Sequence, residues 1–136
     1  MKIIMIYCNS FAYNPSIKTL DEADDNARTA GFENIQTVFI QAEAEDEENT
    51  KAVENKLLKN IKWVCRKNET KKIILHSFSH LSESKASPAF TLDIFNKVEV
   101  RLKNAGYEVW QTPFGYFLDL KLDAPGFSLA RVFKSF

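Results

Sequence analysis

The sequence predicts an α/β protein of the α+β type, a single domain in which two main helices pack on a mixed β-sheet. Two long segments carry apolar residues at helical spacing, and five shorter segments are rich in β-branched and aromatic residues. The predicted order is strand, strand, helix, strand, helix, strand, strand. A connecting helix of this length allows the strands on its two sides to run parallel. The length of 136 residues fits one domain over residues 1–136.

The composition is that of an ordinary globular domain, with 45% apolar and 26% charged residues. The 18 basic and 18 acidic residues cancel, which argues against a strongly basic nucleic-acid-binding protein. Two cysteines exclude a disulfide framework, and four glycines leave little room for a phosphate-binding loop. No apolar run could span a bilayer, and the apolar residues 3–7 indicate a strand rather than a secretion signal. We therefore expect a cytoplasmic protein with no membrane partner.

The first third of the chain predicts two strands and a polar connection between them. Residues 2–9 form the first strand, and residues 11–15 add a short extended piece, because Pro15 disfavours a helix there. Residues 17–31 are rich in Asp, Glu and Asn, and are interpreted as a solvated excursion with a helical turn at most. Residues 35–41 are rich in β-forming residues and predict the second long strand.

The first helix is predicted over residues 48–67, after an acidic run that suits the positive end of a helix dipole. Its buried stripe repeats at steps of four, four and three residues: Val53, Leu57, Ile61 and Val64. Residues 73–78 form the next strand. This strand is followed by a serine-rich loop that leads to the second helix.

The second helix is predicted to begin after Ser87, the N-cap, with Pro88 at its first position. Gly106 stands where a helix C-terminal cap belongs. The buried stripe of this helix consists of Phe90, Ile94, Val98 and Leu102. Residues 107–111 and 116–122 predict two further strands, and residues 126–136 predict a short helix.

Few titratable side chains are placed for catalysis. His76 and His80 are the only histidines, and no acidic cluster completes a metal site with them, so we expect neither a metal ion nor another cofactor. Cys8 ends the first predicted strand and is consistent with two roles, a nucleophile paired with His80 or a small buried thiol. The serines near His80 lack the glycine pattern of a nucleophile elbow.

Residues 78–82 form the first of two segments that predict a ligand site. They leave a buried strand as a polar loop, so the backbone groups of Phe78 and Ser79 are free to face a ligand. His80 lies in the same loop and is the candidate catalytic residue. The alternative for His80 is an ordinary surface histidine.

Residues 113–117 form the second segment. The rings of Phe114, Tyr116 and Phe117 surround Gly115, which permits close backbone approach to a stacked base or ring. A turn leading into a core strand would have a similar composition. The four residues are therefore candidate substrate-binding residues together with Phe78 and Ser79.

Taken together, residues 78–82 and 113–117 resemble the characteristic stretches of the editing domain of archaeal-type threonyl-tRNA synthetases. Residues 2–6 resemble the family's first strand, residues 86–94 resemble its junction between loop and helix, and residues 103–107 resemble its helix end. The similarity covers essentially the whole chain. It implies the fold of the D-aminoacyl-tRNA deacylases and a homodimer.

The resemblance also implies a reaction, the hydrolysis of serine wrongly attached to threonine tRNA. The ester lies at the 3′ adenosine, the pocket is formed largely by backbone groups, and the 2′-hydroxyl of the tRNA assists an attacking water. The implied partners are the aminoacyl 3′ end of tRNA and threonyl-tRNA synthetase. One methyl group changes binding by only about 1–3 kcal/mol, so such a pocket rejects threonine best if the extra methyl displaces that water.

Several residues depart from the family pattern. Phe117 replaces a tyrosine, and Leu118 replaces the catalytic lysine. Arg131 stands where the family places a functional glutamate, and we expect it to face residue 118. Lys121 cannot substitute for the missing lysine, because alternate residues of a strand face opposite sides and Lys121 is on the side opposite Tyr116.

These observations favour an editing deacylase of Ser-tRNA(Thr) with weakened or altered catalysis. The alternative is a catalytically silent module that binds an aminoacyl-adenosine end or a synthetase. A third reading is a cysteine-dependent hydrolase that uses Cys8. The missing lysine favours the silent module, whereas the retained His80 and the aromatic segment favour a working pocket.

Overall fold

The computed structural model describes residues 1–136 and consists of one mixed six-stranded sheet with two helices. The predicted fold class is confirmed. The elements in chain order are β1 (Lys2–Lys18), β2 (Ala30–Gln41), α1 (Thr50–Lys67), β3 (Lys72–Ser77), α2 (Pro88–Asn104), β4 (Glu108–Gln111), β5 (Tyr116–Asp123) and β6 (Arg131–Ser135). Two short 3-10 turns, Ala44–Glu48 and Ser128–Ala130, precede α1 and β6.

The strand order is β4-β3-β2-β1-β5, and β6 pairs with β1 as well. Strands β2, β3 and β4 are parallel neighbours, since α1 and α2 provide the two crossover connections. Strand β1 is antiparallel to all its partners: β2 along one edge, and both β5 and β6 along the other. The carboxyl ends of β2 and β3 therefore lie side by side, which is where ligands usually bind in such sheets.

Both helices bury the stripes that the sequence predicts, except that Phe90 at the start of α2 is only partly buried. Leu57, Ile61, Ile94 and Val98 are fully buried in the larger core, between the helices and one face of the sheet. Ser87 caps α2 by accepting a hydrogen bond from the backbone N–H of Phe90 at 3.2 Å. Burial of these side chains, at about 25 cal/mol per Å² of apolar surface, holds the helices against the sheet.

A second core lies on the other face of the sheet. It is rich in aromatic rings and consists of Cys8, Phe11, Tyr13, Ile35, Phe39 and Ile74. Phe78, Leu118 and Leu120 pack against it as partly buried residues. This second core therefore contacts both the residue that follows β3 and strand β5.

The first two strands are longer than the sequence predicts. Strand β1 runs from Lys2 to Lys18 and includes Pro15, and β2 already begins at Ala30. The predicted excursion over residues 17–31 is therefore reduced to a loop at residues 19–29, which contains no helix. Pro15 is tolerated because it lies beyond the pairing with β2 and next to a register shift in the pairing with β5.

The predicted short helix over residues 126–136 is wrong. Only Ser128–Ala130 form a 3-10 turn, and β6 follows as a strand. Strand β6 pairs in antiparallel register with the start of β1, from Lys2↔Ser135 to Ile6↔Arg131. This segment is a strand because it pairs with the free edge of β1. Its pairing partner lies more than a hundred residues away, so the local sequence pattern does not reveal it.

Candidate functional site

A cavity of about 420 Å³ opens at the carboxyl ends of β2 and β3. Its other walls are the loop after β3, the start of α2 and the start of β5. All seven predicted site residues line it: Phe78, Ser79, His80, Phe114, Gly115, Tyr116 and Phe117. The two segments that suggested a ligand site are thus brought together in space, across more than thirty residues of sequence.

His80 is exposed at the cavity, and its ring packs at a tilt against an aromatic support. Its ring centroid is 4.8 Å from that of Phe78. The Phe78 ring in turn packs edge-on against the buried Phe39, with centroids 5.1 Å apart. The second core therefore fixes the position of Phe78, and Phe78 supports the His80 ring at the cavity.

The loop that carries His80 is held by the buried side chain of Gln41, the last residue of β2. The Gln41 amide nitrogen donates to the carbonyl oxygens of Ser82 and Ser84, at 2.7 and 2.9 Å. Its carbonyl oxygen accepts from the N–H groups of Leu81 and Ser82, at 2.6 and 2.8 Å. One side chain thus fixes four backbone groups, so the loop is ordered without secondary structure of its own.

Glu43 adds a further anchor to this loop, because the Ser82 hydroxyl donates to its carboxylate at 2.7 Å. Burial disfavours the charged carboxylate, but hydrogen bonds from the amino group of Met1 and from Ser82 outweigh this effect. The pKa of Glu43 is consequently lowered to about 2. The carboxylate therefore stays ionised at neutral pH and keeps accepting the Ser82 hydrogen bond.

Gly115 and Tyr116 hold the loop of residues 19–29 against the cavity. Gly115 has φ = 84°, and its carbonyl oxygen accepts from the Thr19 N–H at 2.7 Å. A Cβ on Gly115 would lie 2.8 Å from the Cβ of Ala23, so only glycine fits. The Tyr116 hydroxyl donates to the Asp24 carbonyl at 2.8 Å. The tyrosine hydroxyl therefore has a positioning role in this structure.

His76 is a cavity residue that the sequence places only in a strand. It is buried near the end of β3, and its Nδ1 lies 2.9 Å from the Thr112 hydroxyl oxygen. Its ring packs against Phe39 at 4.8 Å between centroids. Burial lowers the pKa of His76 to about 4, and the neighbouring His80 contributes in the same direction. The signal that could have found it is its place near the carboxyl end of a parallel strand.

The cationic groups of the cavity differ from those of the family pattern. Leu118 and Leu120 line the cavity, so the position of the expected lysine is apolar. Lys121 is exposed and does not line it, as the strand alternation predicts. Lys85 is the one lysine or arginine among the lining residues, and the sequence did not single it out. Phe117 lines the cavity but remains 54% exposed, which leaves its ring available for stacking.

Arg131 does not belong to this site, contrary to the expectation that it faces residue 118. It pairs with Ile6 on β1, whereas Leu118 pairs with Pro15. These two β1 positions are nine residues apart, or about 30 Å in a straight strand. Arg131 donates instead to the Pro125 carbonyl at 2.9 Å. A lysine at position 118 would therefore not meet the charge of Arg131.

The cysteine hydrolase reading is not supported by the structure. Cys8 is fully buried and lies outside the cavity lining. Burial raises the pKa of its thiol to about 11, so the nucleophilic thiolate is scarce at neutral pH. Cys65 is also buried, and burial raises its pKa to about 12.

No group of three His, Cys, Asp or Glu side chains could hold a metal ion. No helix combines the length and the apolar character needed to cross a membrane.

Comparison with solved structures shows the fold. The chain matches the structure of a protein named c-Myc DNA Unwinding Element Binding Protein, with a TM-score of 0.74 over 99% of this chain and 98% of that chain. The two sequences are only 10% identical, so this likeness concerns the fold alone. The expected fold of D-aminoacyl-tRNA deacylase type is confirmed.

Sequence comparison gives the family. The chain is 32% identical to a threonine–tRNA ligase of Thermococcus sibiricus and 30% identical to one of Thermococcus gammatolerans, over 138 residues each. A threonine–tRNA ligase of Methanosphaera stadtmanae is 29% identical over 137 residues. In each case 99% of this chain aligns with 22% of the relative, so the chain spans about a fifth of their length. A family model described as the archaea-specific editing domain of threonyl-tRNA synthetase matches residues 1–136, and the protein therefore belongs to that family.

Proposed function

We propose that this protein hydrolyses the ester bond of mischarged Ser-tRNA(Thr), with catalysis weakened by the loss of the lysine at position 118. The observation that carries the proposal is the cavity itself. It gathers His80, Phe78 and Ser79 with residues 114–117 in a chain that the editing-domain family model matches throughout. Its volume of about 420 Å³ is within the range of about 300–1,000 Å³ that small-ligand pockets occupy.

The terminal adenosine of the tRNA is assigned to the aromatic side of the cavity. Phe114 and Phe117 offer ring faces, and stacking of a base on an aromatic side chain contributes about 1–3 kcal/mol. The seryl group then lies towards His80 and the loop at residues 78–82. Lys85, exposed at the same cavity, is placed to attract the negatively charged tRNA end.

His80 is the proposed catalytic residue. A water attacks the ester carbonyl carbon, and a proton passes from it by way of His80 or the 2′-hydroxyl to the departing 3′ oxygen. The products are free serine and a tRNA with a free 3′-hydroxyl. Leu118 offers no charge to the developing oxyanion, and losing one such group typically lowers the rate about 10²–10³-fold. Slow turnover is the expected result.

The proposed partners are the aminoacyl end of tRNA and threonyl-tRNA synthetase, with the protein acting as a homodimer. The named relatives are threonine–tRNA ligases, and they extend well beyond the segment that this chain matches. The net charge of zero favours contact with the tRNA terminus rather than with a long stretch of phosphates.

A second candidate function is a silent module that binds an aminoacyl-adenosine end without hydrolysing it. Leu118 is the observation that favours this function, because it makes the family's lysine position an apolar wall of the cavity. In that case binding by the aromatic segment would be retained, and chemistry at His80 would be absent.

The test is incubation of the protein with Ser-tRNA(Thr), Thr-tRNA(Thr) and a D-aminoacyl-tRNA, with the loss of ester followed over time. We expect slow loss of serine, little loss of threonine, and at least a tenfold lower rate in His80→Ala. Lys121→Met serves as the control, since it removes a cation from the same strand outside the cavity. Vigorous hydrolysis unaffected by His80→Ala would place the chemistry elsewhere. Binding of a seryl-adenosine analogue without hydrolysis would establish the silent module.

A further inference from the structure

The buried pair of His76 and Thr112 is a second polar element at the cavity, and the chemistry at His80 does not use it. His76 lines the cavity, whereas Thr112 is buried behind it on the far side of the ring. The imidazole is held in place by the 2.9 Å contact between its Nδ1 and the Thr112 hydroxyl, and by the rings of Phe39 and Phe78. These contacts direct Nδ1 towards Thr112.

The second ring nitrogen of His76 is open to the cavity. Nε2 makes no hydrogen bond within the protein, yet no buried side-chain nitrogen or oxygen lacks a partner. It follows that Nε2 is accessible to solvent. Because His76 is otherwise buried and lines the cavity, the solvent that Nε2 contacts is that of the cavity.

Which ring nitrogen of His76 carries the proton depends on whether the Thr112 hydroxyl donates to Nδ1 or accepts from it. This hydroxyl has a hydrogen to donate, is buried, and has Nδ1 of His76 as its side-chain partner. If it donates to Nδ1, the neutral ring must carry its own proton on Nε2. The low pKa of His76 keeps the ring neutral at physiological pH. Nε2 then presents a fixed N–H to the cavity.

We propose that the Nε2–H of His76 donates a hydrogen bond to the carbonyl oxygen of the bound aminoacyl ester, a role left open by Leu118. The inference rests on the proposed function. When the water oxygen bonds to the carbonyl carbon, the π electron pair moves onto the carbonyl oxygen, where the His76 N–H stabilises the charge. The pair returns as the bond to the 3′ oxygen breaks. His76 keeps its proton throughout, so no further reactant is needed.

The first test is kinetic. His76→Phe keeps a ring in the aromatic cluster but removes the donor, and we expect kcat to fall about 10²–10³-fold with KM changed less than about threefold. His76→Gln restores an amide donor near the same place and should recover part of the rate. Thr112→Val releases Nδ1 and should lower kcat, whereas Thr112→Ser keeps the hydroxyl and should not. Phe32→Leu is the control, because it loosens the second core outside the cavity lining and should leave kcat unchanged.

The second test needs no turnover. Nitrogen-15 NMR of the imidazole shows which ring nitrogen is protonated, and we expect Nε2–H in wild type and a mixture of tautomers in Thr112→Val. Addition of a seryl-adenosine analogue with a non-hydrolysable amide bond should shift the Nε2 resonance of His76. That shift without hydrolysis would overturn the proposed function and leave the His76 contact standing. Hydrolysis with no shift, with an Nδ1–H tautomer, or with full activity in His76→Phe would overturn the His76 contact. Failure of the analogue to bind, together with no hydrolysis of Ser-tRNA(Thr), would overturn both.

Discussion

The side-chain amide of Gln41 is hydrogen-bonded to both backbone groups of Ser82, donating to its carbonyl oxygen at 2.7 Å and accepting from its N–H at 2.8 Å. The Gln41 side chain thus makes the hydrogen bonds to the Ser82 N–H and C=O that a neighbouring strand would make in a sheet. The relationship ties the end of β2 to the loop that carries His80. The geometry of the site therefore depends on a residue that contributes no chemistry.

Gln41→Leu removes these bonds and leaves partly buried backbone groups without partners, which costs about 1–3 kcal/mol for each group that water cannot reach. We expect amide hydrogen exchange over residues 79–84 to accelerate, and affinity for a seryl-adenosine analogue to fall at least tenfold. Gln36→Leu is the matched control, because Gln36 is also buried in β2 but lies outside the cavity. It should lower the melting temperature without changing exchange in this loop. Equal effects of the two variants on the loop would contradict the role of Gln41.

Leu118→Lys should raise the rate of Ser-tRNA(Thr) deacylation about ten- to a hundredfold, because it returns an ammonium group to the cavity wall. Arg131 is remote, so this single change should suffice. Leu122→Lys places the same group on the same strand outside the cavity and should leave the rate unchanged. The measurement is single-turnover ester loss. An increase only in a variant that also carries Arg131→Glu would show that the two positions interact after all.

Gly115→Ala should destabilise the protein by about 1–3 kcal/mol, since alanine is strained at φ = 84° and its Cβ would meet that of Ala23. Gly126→Ala is the control, because a Cβ there meets nothing within 4 Å. Urea denaturation measures both free energies of unfolding. Adding Ala23→Gly should recover part of the loss in Gly115→Ala. A loss below about 0.5 kcal/mol would mean that the loop of residues 19–29 moves aside freely.

Stability should fall as the pH is lowered from about 6.5 to 4. His76 has a folded-state pKa of about 4, below the ordinary value of 6.5, so between these limits the unfolded chain binds more protons than the folded one. A shift of this size corresponds to about 3 kcal/mol, fully present above pH 6.5 and lost through pH 4. Denaturation at a series of pH values tests this, and His76→Phe should flatten the dependence. An unchanged slope in that variant would assign the effect to other groups.

Much of the fold could be predicted because both helices are amphipathic and α2 carries a cap in its local sequence. Ser87 and Pro88 fix the start of α2, and the apolar spacing around Leu57 and Ile94 fixes the buried faces. The errors fall on strands whose partners are distant. Strand β6 pairs with the start of β1, and the second half of β1 pairs with β5, so both depend on long-range pairing.

The site divides in a similar way. Loop residues such as His80 and Gly115 stand out, because polar or glycine-containing loops at strand ends are local features. His76 and Gln41 lie within predicted strands, and their functions depend on which groups face them in three dimensions. The place of Lys85 in the cavity lining could not be predicted either, because it depends on how the loop after β3 is held.

The pairing of both β5 and β6 with one edge of β1 has a consequence for the newly made chain. Strand β2 can pair with β1 early in synthesis, but β5 and β6 are translated roughly 100 residues after β1 ends. At about 5–20 residues per second, the other edge of β1 stays open on the order of ten seconds. During that interval the nascent hairpin exposes a ladder of unpaired backbone groups that invites strand addition from other chains. Truncation before residue 131 removes β6 and makes this exposure permanent at Lys2–Ile6, so shortened chains should aggregate rather than accumulate as native-like domains.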